Sequence, residues 1–266
     1  MRTALGLALV SPMLWGMASA GAFQQEDFTV PLDFSWTVNT YYSKGMPPID
    51  RPWKADDFRR AEEVLKRIVR EHSVHRLPRY ADKFSGRVFD RLISDEHLDP
   101  IRDESLSLER RLATATNLLG WLRRLLPIYV KPEKTARQLL DNERVEIQAY
   151  RLKLSRYVMD IAEARVREVA GDDAARIQGQ RIRDRLVRAM GRNAFAAIKL
   201  MKPENGFRTA SVRRMADYCA EQLPPMMAHL SVELQAEMRR RLTAIRDSRK
   251  QEELRRRLTR ILEKLG

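Results

Sequence analysis

Residues 132–171 read PEKTARQLLDNERVEIQAYRLKLSRYVMDIAEARVREVAG. Ala136, Leu140, Ile147, Tyr150, Leu154, Tyr157, Ile161 and Ala164 recur there in alternating steps of four and three, with Glu143 the one polar intruder. Such steps average ~3.5 residues, the period of a coiled-coil seam, which another helix must cover along its length. Pro132 stands at the favoured first helical position and Gly171 at a helix end. One helix is therefore predicted over 132–171, about 60 Å long at ~1.5 Å per residue. Gly171-Asp172 closes it and caps the next, so a second long helix over about 173–201 is predicted to fold back antiparallel.

Helical spacing continues on both sides. Upstream, Phe58, Ala61, Leu65 and Ile68 predict a helix over about 55–77 that stops before Pro78. Phe84, Val88 and Leu92 predict one over about 82–93, and Leu108, Leu112, Leu119, Leu122 and Leu126 one over 105–126 ending at Pro127. Ser94 to Glu104 reads as an acidic loop without the glycine and ligand spacing of a calcium-binding EF-hand. Downstream, a helix over about 209–223 is predicted to stop at Pro224-Pro225. A last helix over 231–265 is predicted to break or project at 246–253, where no residue is apolar. Cys219, with Val212, Met215 and Leu223 as helical neighbours, reads as a small core residue. No internal repeat is present.

The N-terminal region is of another kind. Arg2, an uncharged stretch from Thr3 to Met17 and the small residues of Ala18-Ser19-Ala20 read as a secretory signal cleaved before Gly21. The apolar stretch is shorter than the ~20 residues of a bilayer span, and no later segment reaches that length. No cysteine follows the cleavage position, so a lipoprotein anchor is excluded. Residues 21–54 are rich in aromatics. Phe28, Val30, Leu32, Phe34, Trp36 and Val38 occupy every second position, the period of a strand with one apolar face. Pro31 bars that strand from the middle of a sheet, and no second strand of similar quality offers a pairing. The segment reads as an extended arm lying along a helical bundle, against the alternative of an arm adding a strand to a partner's sheet.

Composition excludes several classes. With 11 Gly and 12 Pro in 266 residues the chain is neither collagen-like nor low-complexity, and a single Cys allows no intramolecular disulfide. There is no glycine-rich phosphate loop, dinucleotide fingerprint, His-Glu-x-x-His or Gly-x-Ser-x-Gly motif. The nearest approach to chemistry is Glu71-His72-Ser73-Val74-His75. His72 and His75 lie one helical turn apart, but they continue the Phe58–Ile68 series and so read as edge-of-core histidines. A zinc site would need a third ligand, for which His97, Asp95 and His229 are the only suggestions. No catalytic residue, metal ligand or cofactor is assigned.

Charge gives the remaining signal. Fifty Lys and Arg against 36 Asp and Glu make the chain +14, and residues 133–266 hold 30 basic and 19 acidic residues. Within 174–202, Arg181, Arg185, Arg188, Arg192 and Lys199 fall in a ~60° sector almost opposite Leu186, Met190 and Ala197. Such a stripe suits an anion, because guanidinium groups meet phosphate and carboxylate as a planar fork. The competing reading is that acids on neighbouring helices neutralise it. A single-strand nucleic-acid site would need aromatic platforms, and Phe195 is the only ring nearby.

The sequence thus predicts an all-α fold, an elongated helical bundle with two long antiparallel helices and an extended aromatic-rich N-terminal arm. Its organisation is a signal peptide (1–20), the arm (21–54) and a helical domain (55–266). The functional expectation is an exported, non-catalytic protein of the bacterial periplasm or exterior, an adaptor or chaperone-like scaffold. Its partner would be another protein or an anion: a phospholipid surface, lipopolysaccharide or an acidic glycan, rather than nucleic acid. The alternative is an envelope-polymer hydrolase relying on Glu71, His72 and His75.

Overall fold

A computed structural model describes residues 42, 44–48, 50–71, 73–131, 138–168 and 173–266. The fold is all-α: about 80% of these residues are helical and none is in a strand. Among the described residues nine α-helices follow in order: α1 Ala55–Glu71, α2 Gly86–Leu92, α3 Asp99–Arg102, α4 Leu108–Val130, α5 Asp141–Glu168, α6 Asp173–Leu200, α7 Thr209–Met227, α8 Val232–Ser248 and α9 Glu252–Lys264. The signal-peptide segment, the alternating strand pattern of 28–38 and His72 lie outside the described residues, as do 132–137 and 169–172 at the two ends predicted for the long helix.

Helix α5 organises the rest. Its 28 residues (~42 Å at 1.5 Å each) bury Ile147, Tyr150, Leu154 and Ile161 of the predicted seam. They also bury Val145, Ala149, Leu152, Val158, Met159 and Ala162, which lie off the seam. A helix apolar on one stripe needs one partner, whereas this one is enclosed by α4, α6 and α7. Its most extensive contact is with α6.

The polar intruder in the seam explains how the N-terminal layer is attached. Glu143 is 1% exposed and accepts hydrogen bonds from Arg79 Nε (3.1 Å) and from the Tyr80 backbone N–H (2.7 Å). Arg79 also donates to the Leu139 carbonyl. One buried ion pair therefore clamps the 79–80 loop onto the first turn of α5.

Several predicted boundaries are corrected. The first helix ends at Glu71 rather than at 77, and a separate 3-10 turn, Val74–Arg76, follows, capped by the Ser73 hydroxyl accepting from His75 N–H. The second helix begins at Gly86 because Asp82 Oδ1 accepts from the N–H groups of Phe84 and Ser85, holding 82–85 as a turn. Phe84, assigned to its apolar face, is 54% exposed. The acidic loop is largely helical: a 3-10 turn, Asp95–Leu98, and α3 bury His97, Leu98 and Ile101.

Pro127 and Pro224-Pro225 do not end the helices that they were predicted to end. Pro127 lies inside α4, and Pro224 and Pro225 lie inside α7. Each sits in a last turn, so the hydrogen bond it removes lies near the helix end. The Ala220 carbonyl, which Pro224 cannot bond, accepts from Lys264 Nζ of α9 instead (3.4 Å). The α4 face is also rotated: Leu118, Trp121, Leu122, Leu125 and Tyr129 are buried, while Leu108, Leu112 and Leu126 are only partly covered.

The last helix breaks as expected, between Ser248 and Glu252. Arg249 at the break donates to the Met201 carbonyl, tying it to the end of α6. Beyond it, Leu254, Leu258, Ile261 and Leu265 are at most 5% exposed and pack α9 on α7 and α8.

The end of the arm belongs to the core. Tyr42, Met46 and Trp53 are buried, and Tyr42 OH donates to the Arg76 carbonyl (2.5 Å). Trp53 meets Phe58 edge-on at 5.6 Å and Trp121 at 6.5 Å. Cys219 is fully buried, and desolvation pushes its thiol up, so it stays protonated.

Candidate functional site

The rotation of α6 about its axis decides what it presents to solvent. Val187, Met190, Ala194, Ala197 and Ile198 face inward, and Asn193 among them is 4% exposed. Asn193 Nδ2 donates to Ser155 Oγ (2.9 Å), and Gln148 Nε2 donates to the Asn193 carbonyl (3.0 Å). A buried residue bonded through both its side-chain amide and its backbone carbonyl fixes the helix more sharply than apolar contact alone, because turning it would strand polar atoms.

With that face held, Arg181, Arg185, Arg188, Arg192 and Lys199 are all exposed. From Arg181 to Arg192 the stripe runs ~16 Å along the axis, and to Lys199 ~27 Å. The other cations of the helix are matched. Arg176 pairs with Asp173, and Arg183 pairs with Glu163 of α5 (3.0 Å) and with Asp184 (2.9 Å). Asp184, the acid at the edge of the stripe, is thus taken up by Arg183. Among the described residues no carboxylate lies within ion-pair distance of any of the five stripe cations. Elsewhere most arginines have a partner of opposite charge or a carbonyl; the α9 ladder Arg213–Glu253–Arg257–Asp217 is one example.

The histidine motif is not assembled as predicted. Glu71 terminates α1 in ion pairs with Arg67 and Arg70, whereas His75 lies in the following 3-10 turn and is exposed rather than at a core edge. Among the described residues His97 is the core histidine: it is 6% exposed, with Nε2 2.9 Å from the Arg91 carbonyl and its ring 5.1 Å from Phe58. His229 pairs with Asp160 (3.0 Å). Among the described residues no group of three or more His, Cys, Asp or Glu is placed to hold a metal ion.

One cleft was not legible in the sequence. It encloses about 250 Å³ between the 93–95 segment, α5 and α7, and Glu146, Tyr150, Lys153, Tyr218 and Gln222 contribute to its walls. Tyr218 OH donates to Glu146 Oε2 (2.6 Å), and Arg214 lies 3.3 Å from Glu146 Oε1. Lys153 pairs with Asp95 (2.7 Å), and Tyr150 OH donates to the Ser94 carbonyl (2.9 Å). These groups are engaged with one another, which suits a structural polar core better than a nucleophile and its base. The available signal was Glu146, which with Glu143 makes two acids one turn apart beside the apolar seam of α5.

Burial pushes the Glu146 carboxyl above its ordinary value of 4.5, with the Tyr218 hydrogen bond and Arg214 opposing. The folded state then holds this proton more tightly than the unfolded state. Its contribution to stability is complete below the ordinary value and is lost as pH rises through the raised one. Glu146→Gln should therefore gain stability relative to the parent as pH rises from 4 toward neutrality, when the two are compared by thermal melts. A stability difference that does not change with pH would contradict this.

Compared with known protein families, curated proteins and solved structures, the chain matches none.

Proposed function

We propose that this chain is a non-catalytic helical protein that binds a polyanionic partner through the exposed face of α6. The observation that carries the reading is the set of five exposed cations on one helix face without a carboxylate partner among the described residues. Side chains held at high local positive potential, with their neutralising acids absent, attract phosphate or carboxylate arrays. The helix is stiffened for this by its long antiparallel neighbour: Gln148 and Ser155 of α5 meet Asn193, while Glu163, further along α5, meets Arg183. An elongated two-helix unit of this kind presents charge in a row rather than in a pocket.

Export to the bacterial periplasm or exterior belongs to the same proposal and rests on the N-terminal sequence pattern. It favours envelope polyanions over nucleic acid. The test is co-sedimentation of the full chain with anionic and with uncharged surfaces. Binding to anionic surfaces alone, weakened by added salt as the Debye length shrinks from ~10 Å at 0.1 M to ~3 Å at 1 M, supports the reading. Equal binding to both, or none to either, overturns it.

A further inference from the structure

The polyanion that fits α6, we infer, is the surface of an anionic phospholipid bilayer, with the N-terminal half of the helix lying along it. This rests on the anion-binding reading above and adds the chemistry of the partner. The first buried residue of α6 is Val187, so the fourteen residues 173–186 before it contain no buried side chain. That half also carries Ile177, 50% exposed, and Ile182, 43% exposed, two of the six exposed large apolar residues among those described.

Their positions matter more than their number. At ~100° per residue, Ile177 falls ~40° to one side of Arg181 and Ile182 ~100° to the other, beyond Arg185. The arginines are thus bordered by an isoleucine on each side, on a stretch of helix whose partly covered residues, Ala175, Gly179, Arg183 and Leu186, lie on another face. A soluble polysaccharide or polyphosphate offers charge and nothing for the isoleucines. A bilayer surface offers headgroup phosphates to the guanidinium forks and, a few ångströms deeper, an apolar boundary. Arginine stems lie along such a boundary while their charged ends stay at the phosphates. No helix among the described residues is long and apolar enough to cross a membrane, so this contact is peripheral.

The experiment uses the full chain with two probes: vesicles of phosphatidylcholine with about one phosphatidylglycerol in three, and a soluble acidic polysaccharide. Each is titrated against the parent, against Ile177→Ser/Ile182→Ser and against Arg181→Gln/Arg185→Gln. Both isoleucines lie outside the core, and circular dichroism checks that the fold is kept. The isoleucine variant is expected to bind vesicles roughly tenfold more weakly, since each half-buried isoleucine contributes a fraction of its full transfer energy. Its binding to the polysaccharide should not change. If it binds vesicles as tightly as the parent while the arginine variant is weakened, the bilayer inference is overturned and the anion reading stands. Parent binding to polysaccharide but not to vesicles also overturns it, with an acidic glycan as the partner. Binding to neither probe overturns both.

Discussion

Glu143→Ala is expected to destabilise the fold by about 3–5 kcal/mol, the range found when one partner of a buried ion pair is removed. For a domain of this size each kcal/mol lowers the melting temperature by ~2–4 °C, so a drop of roughly 10 °C should be seen. The cost has two sources. Arg79, whose side chain is only 20% exposed, keeps its charge but loses its carboxylate, and the Tyr80 N–H loses its acceptor. Glu143→Gln keeps an acceptor for Tyr80 and removes only the charge, so it should fall between parent and alanine variant. Arg79→Met/Glu143→Leu, which removes both ends of the pair, should recover much of the alanine loss, because no uncompensated charge stays buried. An alanine variant within 1 kcal/mol of the parent would show that the clamp contributes little to joining the N-terminal layer to α5.

That clamp also shows where reading the sequence stopped. Glu143 was visible as a fault in an otherwise apolar seam, but its partner is 64 residues away in a loop. Periodicity speaks of neighbours one or two turns apart, and it identified Leu140, Ile147, Tyr150, Leu154 and Ile161 as one buried line. It could not show that α5 is enclosed on further sides, since residues such as Met159 and Ala162 break the heptad without being polar. Prolines misled for a local reason. Pro127 and Pro224 fall in the last turns of α4 and α7, where little helix follows to be disrupted, and at Ala220 a lysine from another helix replaces the missing donor. The α6 stripe was legible because charge and burial alternate on one helix. That its cations lack acidic partners among the described residues was not, because those partners would have come from other helices.

The second large effect concerns that stripe. Replacing Arg181, Arg185, Arg188 and Arg192 by Gln should weaken binding to an anionic surface several hundred-fold at low salt, at ~1 kcal/mol for each cation near such a surface. The fold should be unaffected. These side chains are exposed and point away from Met190 and Ala197, and among the described residues no carboxylate depends on them. Net charge alone makes a different forecast. A control that neutralises Arg59, Arg70, Arg240 and Arg256, all exposed and all paired with acids, removes the same charge from other faces. It should weaken binding far less, because paired cations present little net potential and lie off the α6 face.

The most direct measurement is the affinity of the parent, the stripe variant and this charge-matched control for one anionic surface across a salt series. A site on α6 predicts tight, steeply salt-dependent binding for the parent, nearly the same for the control, and a weak, shallow response for the stripe variant. Stripe and control variants that lose affinity equally, or a parent that does not bind at low salt, would contradict it.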